Sequence, residues 1–331
     1  MARSGGQKLK ILYILEILKK YSDEEHPINA AEIAEKLEDY CIFAERKSIY
    51  GDIAALEEYG YDIIKTETPK RGWFIGDREF EVPEIYLLCD AVRSAKFISA
   101  KKTRELVSKL SDMLSVYQSG KRNNVFFEAA DKCPNEAIYY NIDNIVSAIE
   151  NKKQIKINYS RRKFTDEREI VASEKQMIIN PYALTWQDDG YYLIGNHTKY
   201  ENLIHLRLDR ISLVEMLSEK ARHFSEVCEY KDVFDTADYT KKLFGMYSGE
   251  ICDVELCCDN SLSEQVFDRF TEKIFIKKVT DSTFNFTVKA VVSDALVTWI
   301  INFGGKIKAV KPENLKNMVK QRAMDILESY E

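Results

Sequence analysis

The chain has 331 residues, of which 45% are hydrophobic and 31% are charged, and its formal net charge is −6 at pH 7. This composition is typical of a folded globular protein, and the length suffices for two or three domains with their own cores. The longest apolar runs, 11–15 and 295–301, fall far short of the roughly 20 residues of a membrane span. The N-terminus lacks the apolar stretch of a signal peptide, so we expect a cytoplasmic protein.

Cysteine and histidine usage argues against disulfide or metal chemistry. The seven cysteines are scattered and form no CxxC pair, and the four histidines are isolated. This pattern favours reduced, buried thiols. We expect no metal and no cofactor, and we expect His197 and His205 to be structural.

The acidic net charge argues mildly against a nucleic-acid partner, because phosphate contacts need lysine and arginine. The local distribution of charge matters more than the sum. Residues 152–222 are rich in both basic types, so a basic surface in that region is expected.

The first 78 residues have the pattern of a winged helix-turn-helix DNA-binding domain. Their periodicity predicts three helices and then two short strands, over 7–20, 29–39, 45–59, 61–65 and 72–76. Asn29 and Glu32 form a capping-box pattern at the second helix, and Gly60 is a favourable left-handed stop for the third. Three helices followed by a hairpin is the layout of this class of DNA-binding domain.

The third helix has the residues expected of a DNA-reading helix. Ile49, Ile53 and Leu56 are spaced to face the core, which leaves the polar side chains near its N-terminus free to enter a major groove. The predicted DNA contacts come from this helix and from the hairpin turn: Arg46, Lys47, Ser48, Tyr50, Lys70 and Arg71. Small three-helix units with a hairpin also serve as protein-interaction modules, and this unit is rich in glutamate, so that alternative stays open.

Residues 79–140 are predicted to form a helical linker. Helices are expected over 84–97 and 100–114. Ser99 separates them and can cap the second helix, and the apolar face of the first includes Leu87 and Leu88. A dimerisation element and a plain intramolecular connection fit this pattern equally well. The polar stretch 118–124 is a candidate boundary.

Residues 141–225 show a shift toward a period of two after a helix over 142–150. Strands are predicted over 154–159, 167–173, 175–184, 191–197 and 203–207. The tripeptide Asp188-Asp189-Gly190 is a strong hairpin signal. Closely spaced short strands predict a small β-barrel.

Residues 245–331 show a strand-helix-strand-strand-helix-strand pattern, followed by a helix that Pro312 opens. That order is typical of a ferredoxin-like domain. The predicted fold class is therefore α+β with several domains.

The third helix resembles the recognition helix of the family of WYL-domain transcription regulators. It contains Lys47-Ser48-Ile49-Tyr50-Gly51-Asp52-Ile53, where the family usually has Arg-Thr-Ile-x-Arg-Asp-Ile. Gly51 stands at the position of the usual arginine. This departure removes a phosphate contact, and a glycine inside a helix costs about 1 kcal/mol.

The segment 180–195 resembles the sensor core of the same family. The name-giving Trp-Tyr-Leu is here Tyr191-Tyr192-Leu193, and the closing Arg-x-Asp-Arg-Ile is Arg207-Leu208-Asp209-Arg210-Ile211. The strand that ends at Tyr159 also matches. The segment 297–304 is similar to the family's C-terminal extension, known as WCX, so the resemblance spans nearly the whole chain.

The resemblance implies an SH3-like or Sm-like barrel that senses a ligand, which in several members is a nucleic-acid fragment or a nucleotide. Aromatic rings would stack on bases, and arginines would hold phosphate in a forked geometry. The implied ligand residues are Tyr159, Arg161, Arg162, Tyr182, Tyr191, Arg207 and Arg210, with Tyr192 as a further stacking face. The tyrosines would equally serve as barrel core, since Tyr191 and Tyr192 point to opposite faces. Arg210 would equally pair with Asp209 or with a neighbouring carboxylate.

No catalytic motif is present, because the sequence has no Walker loop, GxGxxG, HExxH or GxSxG pattern. We therefore expect a homodimeric transcription regulator without enzymatic activity, whose partners are double-stranded promoter DNA and a nucleotide or single-stranded ligand. The alternative is an accessory or defence-associated protein that binds single-stranded nucleic acid through its sensor domain.

Overall fold

The computed structural model describes residues 4–120, 132–164, 170–270 and 274–331. The chain divides into two compact units, Met1–Pro134 and Asn135–Glu331. Within the described ranges, no helix is both long and apolar enough to cross a membrane. Parts of two sequence predictions, the strand over 167–173 and the boundary over 118–124, lie outside the described residues.

The first unit begins with three helices and a hairpin, at the predicted places to within a few residues. These elements are α1 (Ser4–Tyr21), α2 (Ala30–Glu38), α3 (Arg46–Tyr59), β1 (Ile63–Thr66) and β2 (Gly72–Ile75). Both halves of the capping box are formed, since Asn29 accepts from the Glu32 amide and Glu32 accepts from the Asn29 amide. Gly60 ends α3 with a φ of +117°. The sequence prediction of these features is confirmed.

A buried ion pair joins α1 to α3. The Nζ of Lys10 lies 2.7 Å from the Asp52 carboxylate, and it also donates to the hydroxyl of Ser48. The Lys10 side chain is 6% exposed and the Asp52 side chain 21% exposed. Because both charges are largely withdrawn from water, the pair fixes how α3 is rotated against α1, and with it the face that α3 turns outward.

Three further helices complete the first unit: α4 (Val82–Ser94), α5 (Ala100–Ser111) and α6 (Val116–Ser119). The prediction that Ser99 caps the second helix of this region is confirmed, because its hydroxyl accepts from the Lys102 amide. Arg78 ties the region to α1 by donating to the carbonyls of Lys19 and Ser22.

The predicted apolar face of α4 is wrong in part. Leu87 is 70% exposed and Leu88 is 40% exposed, whereas Ile85 and Cys89 are buried. Two apolar stripes overlap on this helix, and packing together with Leu114 selects the stripe that contains Ile85 and Cys89. Periodicity alone does not distinguish the two stripes.

The second unit opens with α7 and a five-stranded antiparallel sheet. The elements are α7 (Ile138–Glu150), β3 (Lys153–Phe164), β4 (Ile170–Gln187), β5 (Gly190–His197), β6 (Leu203–Arg207) and β7 (Ile211–Lys220). The strands lie in the order β6-β5-β4-β3-β7. The predicted hairpin at residues 188–190 joins β4 to β5, and Asp188 adopts a positive φ of 51° there.

Two strands of this sheet differ from their predictions. β4 is one long strand, although the sequence indicated a break near 173–175. β7 was missed because Ile211 and Val214, its buried residues, are three positions apart. A register shift between Asn158 and Tyr159 of β3 accompanies this spacing, and a bulge of this kind hides a strand from a search for a period of two.

The C-terminal part of the second unit contains a four-stranded antiparallel sheet. Its elements follow the predicted order: β8 (Glu250–Asp259), α9 (Ser263–Phe270), β9 (Phe275–Val279), β10 (Thr283–Val292), α10 (Asp294–Ile301), β11 (Ile307–Lys311) and α11 (Glu313–Glu328). The strands lie in the order β11-β8-β10-β9. Buried side chains from the sheet, including Leu256 and Phe286, pack with Leu296 and Ile300 of α10.

The segment between the two sheets packs on the first sheet and includes α8 (Thr236–Lys242). Tyr182 of β4 lies edge-on to Phe224 and beside Phe234, which in turn contacts Tyr230 and Tyr239. We call these five rings the aromatic cluster. The sequence patterns did not predict this contact. The cluster joins Tyr182 to four rings that follow it by roughly 40 to 60 positions, and no regular period links them.

His205 of β6 is a structural histidine at the same contact. Its Nδ1 lies 2.9 Å from the Met246 carbonyl and its Nε2 lies 3.0 Å from the Tyr239 hydroxyl. A neutral ring satisfies both contacts, with Nδ1–H donating to the carbonyl and Nε2 accepting from the hydroxyl. Burial lowers the pKa of His205 to about 4.

Replacing Asp52 with asparagine is expected to destabilise the first unit by about 3 kcal/mol, because it leaves the Lys10 ammonium buried without a counter-charge. Urea unfolding followed by circular dichroism measures the loss. The matched control is Glu105→Gln, which breaks the exposed pair between Lys102 and Glu105 and should cost no more than about 0.5 kcal/mol. Equal losses in the two variants would contradict a structural role for the buried pair.

The buried, neutral His205 is expected to make the second unit acid-sensitive. Its pKa is about 4 in the folded chain and ordinarily 6.5, so the unfolded chain binds more protons between these values. Stability from this group is therefore complete above pH 6.5 and is lost as the pH falls toward 4, by on the order of 3 kcal/mol. Urea titrations from pH 7 to pH 4 test this. His205→Gln should flatten the pH dependence, and an unchanged slope would rule out His205 as its source.

Candidate nucleic-acid and ligand sites

The N-terminal ends of α2 and α3 and the hairpin enclose a groove of about 370 Å³. Three basic side chains, Arg46, Lys65 and Arg71, line it together with Tyr50 and the first turn of α2. The positive end of a helix and three cations on one groove form a surface that suits phosphate.

Local packing sets the shape of this groove. Trp73 of β2 is buried and exchanges two backbone hydrogen bonds of 2.9 Å with Ile28, so the hairpin is held against the segment before α2. A Cβ on Gly72 would lie 2.8 Å from the Ile28 carbonyl oxygen, and this close approach requires glycine. Tyr50 packs edge-on to Trp73, with 5.0 Å between ring centroids.

The structure brings together some of the six predicted DNA contacts and not others. Arg46, Tyr50 and Arg71 share the groove, and Lys47 is exposed on α3. Ser48 is also exposed, but it accepts a hydrogen bond from Lys10. Lys65 was missed, although its position on a short, half-exposed strand was a usable signal.

Lys70 lies outside the groove and pairs with Glu32 at 2.5 Å. Burial of the Glu32 carboxyl opposes ionisation, but hydrogen bonds from Lys70 and from the Asn29 amide hold its pKa below the usual value. The basic turn of the hairpin is thus tied to the capping box of α2. Arg71, by contrast, is about two-thirds exposed, and its ion pair within the described ranges is with Glu67, at 3.4 Å.

In the second unit, a single short turn brings together two of the four predicted ligand arginines, Arg207 and Arg210. β6 ends at Arg207 and β7 begins at Ile211, with the residues between them in one 3-10 turn. Arg207 donates to both carboxylate oxygens of Asp209, at 3.0 and 2.7 Å, and this bonding raises the pKa of Arg207. The alternative that Arg210 pairs with Asp209 is wrong. Arg210 is exposed and makes no ion pair with any residue in the described ranges.

Two tyrosines flank this turn. Tyr192 of β5 lies directly opposite Arg207 in the strand register, so both side chains are on one face of the sheet. Tyr159 of β3 lies opposite Ile211 and is buried. Tyr191 is on the other face of β5, opposite Trp186. The structure therefore places Tyr192, rather than Tyr191, beside the arginines.

The remaining predicted ligand residues have different surroundings. Arg161 is exposed on β3, and the side chain of Arg162 lies outside the described residues. Tyr182 belongs to the aromatic cluster, and burial raises the pKa of its hydroxyl. Its ring is already packed against Phe224 and Phe234.

Comparison with known protein families identifies the class of the central region. Residues 140–216, which cover most of α7 and the strands through β7, match the model of the WYL domain. The chain therefore contains a WYL domain. Among curated proteins, no sequence matches the chain.

Two solved structures are similar to the chain at low identity. Proteasome accessory factor B/C (PafBC) of Arthrobacter aurescens is 16% identical over 96% of this chain and 46% of its own, with a TM-score of 0.26. This chain therefore spans about half the length of the PafBC chain. A CRISPR Cas-related protein is 15% identical over 100% of this chain and 87% of its own, with a TM-score of 0.37.

Gly51 is expected to be replaceable without steric cost. It is exposed within α3, and no atom lies within 4 Å of a Cβ built on it. Gly51→Ala should stabilise the first unit by about 1 kcal/mol, because alanine has the higher helix propensity. Urea unfolding measures the gain.

The matched control for this effect is Ala54→Gly at another exposed position of α3, which should lose a similar amount. If Gly51→Ala instead destabilises the chain, the local backbone conformation of α3 requires glycine at this position. The same variant also reports on DNA. Weaker duplex binding with a more stable helix would indicate close approach of a DNA strand to the Gly51 backbone.

Proposed function

We propose that the chain is a DNA-binding transcription regulator whose WYL domain senses a nucleic-acid fragment or a nucleotide. The three helices and hairpin act as a winged helix-turn-helix, with α3 as the recognition helix. The groove that unites Arg46, Lys65 and Arg71 at two helix N-termini is the observation that carries this proposal. Three cations beside the uncapped N-terminus of α3 form a surface that suits a phosphate backbone.

Within the WYL domain, we assign the ligand phosphate to Arg210, with Arg161 extending the basic surface. Arg207 is committed to Asp209 through two hydrogen bonds, so it shapes the turn and positions Arg210. Tyr192 provides aromatic surface beside the turn, whereas the buried Tyr159 supports the turn from the core. The ligand would thus contact Arg210, which has no ion pair among the described residues. The Arg207–Asp209 pair keeps the turn that carries Arg210 rigid.

The proposed domain limits are 1–78 for the DNA reader, 79–140 for the helical linker, 141–225 for the WYL domain and 245–331 for a ferredoxin-like WCX domain. We further propose that the chain acts by binding, without catalysis, and as a homodimer that matches a two-fold operator. The exposed leucines of α4, Leu87 and Leu88, are compatible with a dimerisation role for the linker.

A second candidate is an accessory protein that binds single-stranded nucleic acid through the WYL domain. The exposed Arg161 and Arg210 favour it, because both are available for a strand backbone in the described part of the chain. The two functions differ in their DNA preference, since only a regulator needs a specific duplex site.

Binding of the purified chain to the duplex upstream of its own gene, with and without a short single-stranded oligonucleotide, separates these functions. Specific duplex binding that changes with the oligonucleotide supports the regulator and its ligand class. Specific binding that ignores the oligonucleotide supports the regulator alone. Tight single-strand binding without a duplex preference supports the accessory protein.

Two variants test whether the first unit binds the duplex and the second unit binds the ligand. Arg46→Gln should weaken duplex binding similarly for all sequences and lower the slope of log K against log salt by about one, because one phosphate contact is lost. Arg210→Gln should leave duplex binding intact and abolish the oligonucleotide response. Each variant serves as the control for the other. If Arg210→Gln lowers thermal stability and duplex binding together, Arg210 is a structural residue and the assignment fails.

A further inference from the structure

A second groove, of about 670 Å³, lies in the second unit between the tip of the β4–β5 hairpin and the helices of the C-terminal part. It is lined by Gln187 and Asp188 of the hairpin tip, by 244–247, and by side chains of α9, α10 and α11. None of the WYL turn residues lines it. The groove therefore needs an explanation that the proposed sensor turn does not supply.

Arg269 of α9 is the unusual group in this groove. Its guanidinium is partly buried, lies 4.3 Å from the centre of the Phe244 ring and donates to the Leu243 carbonyl. Within the described ranges, no carboxylate lies within ion-pair distance of it. Burial lowers the pKa of Arg269, and Asp188 only partly offsets this effect. A partly buried cation without a counter-charge is able to accept an anion from solution.

The rest of the groove suits a flat, polar ring. Trp299 of α10 forms an aromatic floor and packs on the buried Phe244, with 5.5 Å between the ring centroids. Tyr247 stands on the rim with 55% of its surface exposed. Thr298 of α10 and Asn302, the residue that follows this helix, add hydrogen-bonding groups along the wall. Arg322 also lines the groove, but Asp294 neutralises it at 2.9 Å.

From this arrangement we infer that the groove binds a nucleoside monophosphate, with the phosphate on Arg269 and the base against Tyr247 and Trp299. The shared chemistry has two sources, a free nucleotide and the 5′-phosphorylated end of a short strand. The site is distinct from the WYL turn, so it stands or fails separately from the proposed function.

The test is calorimetric titration of the full chain that carries Arg210→Gln, a substitution that silences the proposed turn site. The probes are AMP, adenosine, inorganic phosphate and the 5′-phosphorylated dinucleotide pApA. AMP is expected to bind at least about ten-fold more tightly than adenosine or phosphate, because it alone engages both the cation and the rings. Binding of phosphate as tight as that of AMP, or no binding of AMP, would overturn the inference.

Two further substitutions in the same background locate the binding. Tyr247→Ser, at an exposed rim position, should weaken AMP about ten-fold through loss of stacking. Arg269→Lys keeps the charge but removes the forked donors, and it should also weaken AMP about ten-fold. Unchanged affinity in Tyr247→Ser, which is not expected to affect folding, would exclude this groove. Tighter binding of pApA than of AMP would identify the strand end as the source, and the reverse order would identify the free nucleotide.

Discussion

The short turn between Arg207 and Ile211 constrains the shape of the WYL domain. β6 and β7 are the two edge strands of the five-stranded sheet, yet only three residues separate them. So short a connection requires the sheet to curl, which brings its two edges near each other at this corner. This curl places Tyr192 of β5 and Tyr159 of β3 on either side of the turn. The candidate ligand site therefore depends on the curl of the sheet at this point.

The same turn decides which positive charge is available to a ligand. Leu208 is fully buried and anchors the turn in the core, and the bidentate pair between Arg207 and Asp209 stiffens its surface. The pair neutralises the charge of Arg207 and does not include Arg210. In such a site, two arginines have different roles. Arg207 maintains the geometry of the turn, and Arg210 remains exposed to solvent and available to a ligand.

Local sequence patterns predicted much of the fold. They did not predict contacts between residues that are far apart in the sequence. The capping box at Asn29 and the stop at Gly60 depend on neighbouring residues, and both follow from the sequence. The choice between Tyr191 and Tyr192 depends on strand register, which a single motif does not contain. Likewise, the partner of Arg207 could be chosen only once the geometry of the turn was known. The groove around Arg269 joins five separate segments, and no spacing pattern indicates such a meeting.

The β4–β5 hairpin connects the two candidate sites of the second unit. Its tip residue Asp188 lines the groove around Arg269, and β5 carries Tyr192 opposite Arg207 at the turn. A phosphate bound to Arg269 would repel the Asp188 carboxylate and thereby favour a shift of the hairpin tip. Because a coupling free energy between two sites is reciprocal, a ligand at the turn would alter binding in the groove by the same factor. The β4–β5 hairpin is thus the element through which ligand binding at one proposed site would affect ligand binding at the other.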